Sequence, residues 1–217
     1  MNKTSWVATI SGAAMFAASM LGASSASATM TDPVEMIYNF QATGKFASFN
    51  PVTHQSTYLI SAVGRAPSVR RNGIIRPPGQ DDDGDDYKVI LTDAAITFDG
   101  FDPATAKIVN FSCKGCKLTY PDGSTLTSDP DVPLQGRALF LYGPVAPDPS
   151  SPIMTIRMAG CSGLHETAGI GRLANKVGSI CFNGVFNFDM SNPNTLPATI
   201  TGSSNCTIVT HTPVQAP

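Results

Sequence analysis

Apolar residues recur at every second position through much of this chain. In "DYKVILTD" Tyr87, Val89 and Leu91 face one way, and Lys88, Ile90 and Thr92 the other. "AITFDG" sets Ile96 and Phe98 on one face, and "AKIVNFSC" sets Val109 with Phe111. "PIMTIRMAG" puts Met154, Ile156 and Met158 on one side, Thr155 and Arg157 on the other. Period two predicts half-buried strands. "GRALFLYG" is apolar almost throughout, which predicts a strand covered on both faces. "ATITG" and "NCTIVTH" predict two more. In "TDPVEMIYNF", Asp32, Pro33 and Glu35 suit a helix start, but Met36, Tyr38 and Phe40 alternate, and we read a strand.

Turn chemistry punctuates the runs. Asn183-Gly184 lies between two strand-like runs in "GSICFNGVFNFD" and predicts a hairpin. "KLTYPDGSTLT" predicts a second, turning at Pro121-Asp122-Gly123. "HETAGIGRLANKV" has room for one short helical turn. Residues 64–86 and 143–152 carry no strand pattern and are read as long loops. Four prolines in "GPVAPDPSSP" exclude a central strand there.

Composition sharpens this picture. Two glutamates stand against fourteen aspartates, beside 19 glycines and 17 prolines. Polar helix formers are scarce and turn formers plentiful. The reading is all-β: one antiparallel domain over 29–217, a sandwich or a closed barrel, stapled by disulfides.

Residues 1–28 read as a secretory signal peptide. Lys3 supplies the positive start, Trp6 to Leu21 a mostly apolar run, and Ala26-Ser27-Ala28 a small-x-small cleavage site. The expected location is secreted or periplasmic, with no integral membrane segment once the signal is removed. The formal net charge is −2, and one unit more negative without Lys3. That balance argues against a nucleic-acid partner. No cofactor is expected, calcium excepted.

Calcium enters through "QDDDGDD", five aspartates in six positions. The EF-hand pattern fails, because aligning Gly84 with the loop glycine places Gly79 and Ile90 at ligand positions. A shorter set of Asp81, Asp83 and Asp86 remains as a calcium candidate. Arg65, Arg70, Arg71 and Arg76 lie just upstream and offer the same carboxylates another partner. A solvated loop folded onto those arginines is preferred.

Five cysteines in an exported chain predict disulfides and one thiol left over. "CKGCK" lacks the His of a haem site, a second pair for zinc, and the helix N-terminus of a redox motif. A local Cys113–Cys116 disulfide is expected. Two of Cys161, Cys181 and Cys206 form the second. His165-Glu166, in the Gly-rich "GCSGLHETAGIG", is the one neighbouring acid–imidazole pair and the catalytic candidate. "CSGLH" does not match the nucleophile elbow.

Gly169-x-Gly171-Arg172-Leu173, with Gly178 beyond, is similar to the Gly-x-Gly-basic-apolar turn of small secreted barrels of the allene-oxide-cyclase and dirigent type. The resemblance spans residues 169–178. It implies a closed antiparallel barrel with an apolar pocket and carries no catalytic residue onto this chain. The expected function is non-enzymatic: binding or structure in the cell envelope or extracellular matrix, with a surface or matrix partner. The alternatives are a barrel holding a small apolar ligand and a secreted enzyme using His165 and Glu166.

Overall fold

The computed structural model describes residues 31–78, 84–99, 110–128, 134–142, 153–189, 191 and 198–213. The signal segment, Asp81, Asp82, Asp83 and the 143–152 stretch lie outside the described residues. Thirteen strands and three short 3₁₀ turns are present, with no α-helix among the described residues. The strands are β1 (Thr31–Asn50), β2 (Gln55–Arg65), β3 (Val69–Arg71), β4 (Ile74–Arg76), β5 (Lys88–Asp99), β6 (Asn110–Cys113) and β7 (Lys117–Thr119). They continue with β8 (Thr125–Thr127), β9 (Leu134–Tyr142), β10 (Ile153–Leu164), β11 (Gly169–Ile170), β12 (Val177–Asp189) and β13 (Thr199–Thr212).

Eight of these close a ring in the order β1-β2-β5-β6-β9-β10-β12-β13, with β13 pairing back onto β1. Every pairing is antiparallel. Closure removes the sheet edges that an open array of long strands would expose. Of the two options read from sequence, the barrel is the one formed.

Alternation decides what lies inside. Met36, Tyr38 and Phe40 of β1 point inward and are buried; Ile37, Asn39 and Gln41 point out. β10 follows the predicted sides, with Met154, Ile156 and Met158 inside. Tyr58, Phe98 and Phe188 pack edge to face around one another, centroids 5.7–5.9 Å apart, and fill the barrel toward one rim. Phe111 needs two glycines for its place. Gly136 and Gly160 are register partners, and a Cβ on Gly136 would lie 2.5 Å from the Phe111 ring and 2.0 Å from the Ala159 carbonyl.

β5 joins two runs that read as separate strands. Tyr87 and Val89 are buried and Leu91 half-buried, but beyond the irregularity it is Ala94, Ile96 and Phe98 that are buried. Asp93, at φ 46°, is the extra residue that inverts the parity. Its amide is taken by the Ser61 hydroxyl at 3.1 Å.

Three expectations change. Asn183-Gly184 makes no hairpin: β12 runs through it, with Gly184 opposite Met158 on one side and Ser204 on the other. Two long ladders outweigh one turn-prone dipeptide, and the absent side chain makes room for Ser204 and Phe186. The Asn-Gly that does turn is Asn72-Gly73, with φ 49° and 81° as a tight primed turn requires. It joins β3 to β4 inside the stretch 64–86, whose sequence carries no strand pattern because each strand is only three residues long. In β9, Gln135 and Arg137 are exposed while Leu134 and Ala138 are buried, so over 134–138 it is covered on one face only. The Pro121-Asp122-Gly123 turn forms as expected, with Gly123 at φ 84° and its amide on the Tyr120 carbonyl at 3.0 Å.

The barrel's rims differ. The β1–β2, β5–β6, β9–β10 and β12–β13 connections leave from one rim. At the other gather the β3–β4 hairpin, the 3₁₀ turn Gly84–Tyr87, the β7–β8 hairpin and residues 165–173.

Candidate functional site

The crowded rim is tied together around one carboxylate. Asp86 ends the acidic run, and its side chain is 1% exposed. Its Oδ2 accepts from Arg71 Nη2 at 2.8 Å, and its Oδ1 from Arg172 Nη1. Arg172 Nε donates to Asp122 Oδ2 at 2.7 Å, and its guanidinium lies 4.7 Å from the centre of the Tyr120 ring. The Asp86 carbonyl accepts the Tyr38 hydroxyl from the barrel interior. Four separate pieces of chain are joined here: the β3 hairpin, the acidic run, the β7–β8 turn and the Gly-rich segment.

Local geometry delivers Arg172 to this place. Gly171 adopts φ 72°, and a Cβ there would lie 2.5 Å from Ser124 Oγ, so the chain turns tightly against β8. Ser124 Oγ accepts the Arg172 amide at 3.1 Å and donates to Asp122 Oδ2 at 2.7 Å. Burial works against the charge on Asp122, but the Ser124 hydroxyl and amide and the Arg172 cation outweigh it and lower its pKa. Burial likewise opposes the Arg172 charge, and Asp86 and Asp122 reverse that. Burial raises the pKa of both Tyr38 and Tyr120, so neither phenol serves as a base near neutral pH. A cleft of about 210 Å³ beside the network is lined by Asp32, Arg71, Asp86, Arg172 and Lys176. Lys176 is itself bound to Asp32 at 3.0 Å. Charges that neutralise one another in this way hold a lid in place.

His165 and Glu166 sit at the same rim, at the start of the 3₁₀ turn Glu166–Ala168, both exposed. Neither lines a cavity described in this structure. Of the calcium candidates, Asp86 alone lies among the described residues, and arginines take both its oxygens.

Cys113 and Cys116 are a disulfide pair across the turn from β6 to β7, Cα atoms 5.7 Å apart. Cys161 and Cys181 are the second pair, register partners on β10 and β12 with Cα atoms 4.1 Å apart. Cys206 is the leftover thiol. It faces inward, and burial pushes its pKa up to about 12.

Cys206 lines a cavity of about 80 Å³ inside the barrel. Phe40, Ile60, Leu118, Leu126, Phe182 and Phe186 are among the apolar side chains of its wall. The β7–β8 hairpin folds over the barrel mouth and supplies Leu118 and Leu126. Of these residues the strand pattern marked only Phe40, which alternates with Met36 and Tyr38, and it gave no sign that space is left beside it.

The outer wall over β1, β13, β12 and β10 is different in kind. Asn39, Asn205 and Asn183 form one row in register, Gln41, Ser203 and Val185 the next, and Thr43, Thr201 and Asn187 a third. A cleft of about 620 Å³ lies over the first two rows, with Arg157 at its side, and one of about 450 Å³ adjoins it over the third. Arg157 Nε donates to Asn183 Oδ1 at 3.0 Å. No carboxylate lines either cleft.

These features define a closed eight-stranded antiparallel barrel with an ionic lid, an apolar hollow and a polar outer wall. No family model, curated protein or solved structure matches the chain.

Proposed function

We propose that the chain is an exported, non-enzymatic binding or structural protein of the cell envelope or extracellular matrix, acting through its outer wall. The observation that carries this reading is the recessed, in-register array of amides and hydroxyls over β1, β13 and β12. Such side chains donate and accept hydrogen bonds at once and suit a hydroxyl-rich partner. A barrel that spans a membrane turns an apolar band outward and a polar face inward. Here the interior is apolar, and the outer wall over β1, β13 and β12 presents amides and hydroxyls, with Ile37 and Val185 among them. The disulfide pairs accord with an oxidising compartment.

The test is retention of the full chain on isolated wall and matrix material. Ser203→Trp, which fills the outer recess, is expected to release it, and Ala62→Leu, which fills the interior cavity, is not. The opposite pattern would favour the second reading, a small apolar ligand in the hollow. That reading draws on the nearly all-apolar cavity wall.

A further inference from the structure

We infer that the outer cleft takes an acidic oligosaccharide, its carboxylate seated at Arg157 and its hydroxyls on the Asn39, Asn205 and Asn183 row. This deepens the reading of the outer wall as a binding surface and rests on it.

The charge distribution argues for an acidic partner. The ion pairs tie charges together at the lidded rim: Arg70 with Glu35, Arg71 and Arg172 with Asp86, Arg172 with Asp122, and Lys176 with Asp32. Arg65, Lys88, Arg137 and Arg157 on the barrel wall are exposed and form no ion pair among the described residues. They flank the asparagine row. Arg65 is the register partner of Asn39 and of Lys88, and Arg137 is the partner of Ala159, which is opposite Asn183. The cleft thus has a positive group at either side and no negative one.

Geometry selects a carboxylate at Arg157. Asn183 engages Nε and fixes the guanidinium, while Nη1 and Nη2 have no partner among the described residues. A planar fork presented this way binds a carboxylate through two parallel hydrogen bonds. The surrounding amides and the Ser203 hydroxyl supply paired donors and acceptors for vicinal hydroxyls. A nucleic acid would want aromatic rings for base stacking, and no aromatic faces outward in these rows.

The experiment is calorimetric titration of the full chain with oligogalacturonate, with the carboxyl-reduced oligomer of equal length, and with a single-stranded oligonucleotide. We expect oligogalacturonate to bind, to weaken as salt rises, and to bind at least tenfold more tightly than the reduced oligomer. Arg157→Gln should lose at least tenfold, Arg157→Lys should recover part, and Asn205→Asp should abolish binding, all with unchanged melting. Equal binding of the reduced oligomer, tighter binding of the oligonucleotide, or undiminished binding by Asn205→Asp overturns the inference. Failure of oligogalacturonate to bind overturns it too. The broader reading falls only if wall and matrix material also fails to retain the chain.

Discussion

Asp86 and Arg172 stand 86 residues apart in the chain and form a buried ion pair at the lidded rim. Arg71 completes the carboxylate's neutralisation. Removing the buried carboxylate leaves two partly buried guanidiniums without the counter-charge they share. Asp86→Asn is therefore expected to cost about 3–5 kcal/mol. Asp122→Asn, at a more exposed pair, should cost about 1 kcal/mol or less. Urea unfolding of the two variants checks this, and equal costs would show that Asp86 is no hub.

Acid should loosen the same rim. A hydrogen bond from Lys176 lowers the pKa of Asp32, and Ser124 and Arg172 lower that of Asp122, both from an ordinary 3.8. A depressed folded pKa contributes stability that is present above 3.8 and is lost as pH falls through the lower folded value. Melting temperature should thus fall with pH below that point. Asp122→Asn should flatten the fall. A profile that the substitution leaves unchanged would contradict the assignment.

Cys206 should be chemically silent in the folded chain. Its thiol is buried, and a pKa near 12 leaves almost no thiolate at neutral pH. Iodoacetamide is expected to leave the native protein unmodified and to add one label per chain in denaturant. Labelling at Cys206 under native conditions would show that the hollow opens.

Calcium should change little. With each Asp86 oxygen already accepting from an arginine, a cation at Asp81, Asp83 and Asp86 would have to compete with both ion pairs. Saturating calcium at a true site would add about 2.7 kcal/mol at a hundredfold excess over Kd, a rise of roughly 5–10 °C. We expect no such rise over chelator at constant ionic strength. A clear one that disappears in Asp83→Ala would show that a cation holds this loop.

Much of the barrel was legible because alternation is a local property. Met154, Ile156 and Met158, or Met36, Tyr38 and Phe40, declare their face within a few residues. Closure is not local: it rests on β13 pairing with β1, strands from opposite ends of the described chain. Asp93 reverses the parity of β5 through a single positive φ, which no hydrophobic count registers. The two Asn-Gly dipeptides show the same limit. Asn72-Gly73 turns because its flanking strands are three residues long, whereas Asn183-Gly184 is stretched between ladders on both sides. Of the rim network, the contact between Arg71 and Asp86 was within reach of the charge pattern. Arg172 was not, since only the fold brings the Gly-rich segment to that carboxylate. The outer rows needed register, which sequence alternation cannot supply.

The two unlike rims have a consequence for how this barrel tolerates change. Residues that cooperate across distant parts of the chain are concentrated at one rim, where a substitution is felt by several segments together. The opposite rim joins each strand to its neighbour in the ring through its own connection, and the Tyr58–Phe98–Phe188 cluster beneath anchors the strand ends. Length and sequence can therefore be added there one connection at a time. New termini, grafted epitopes or inserted modules belong at that rim.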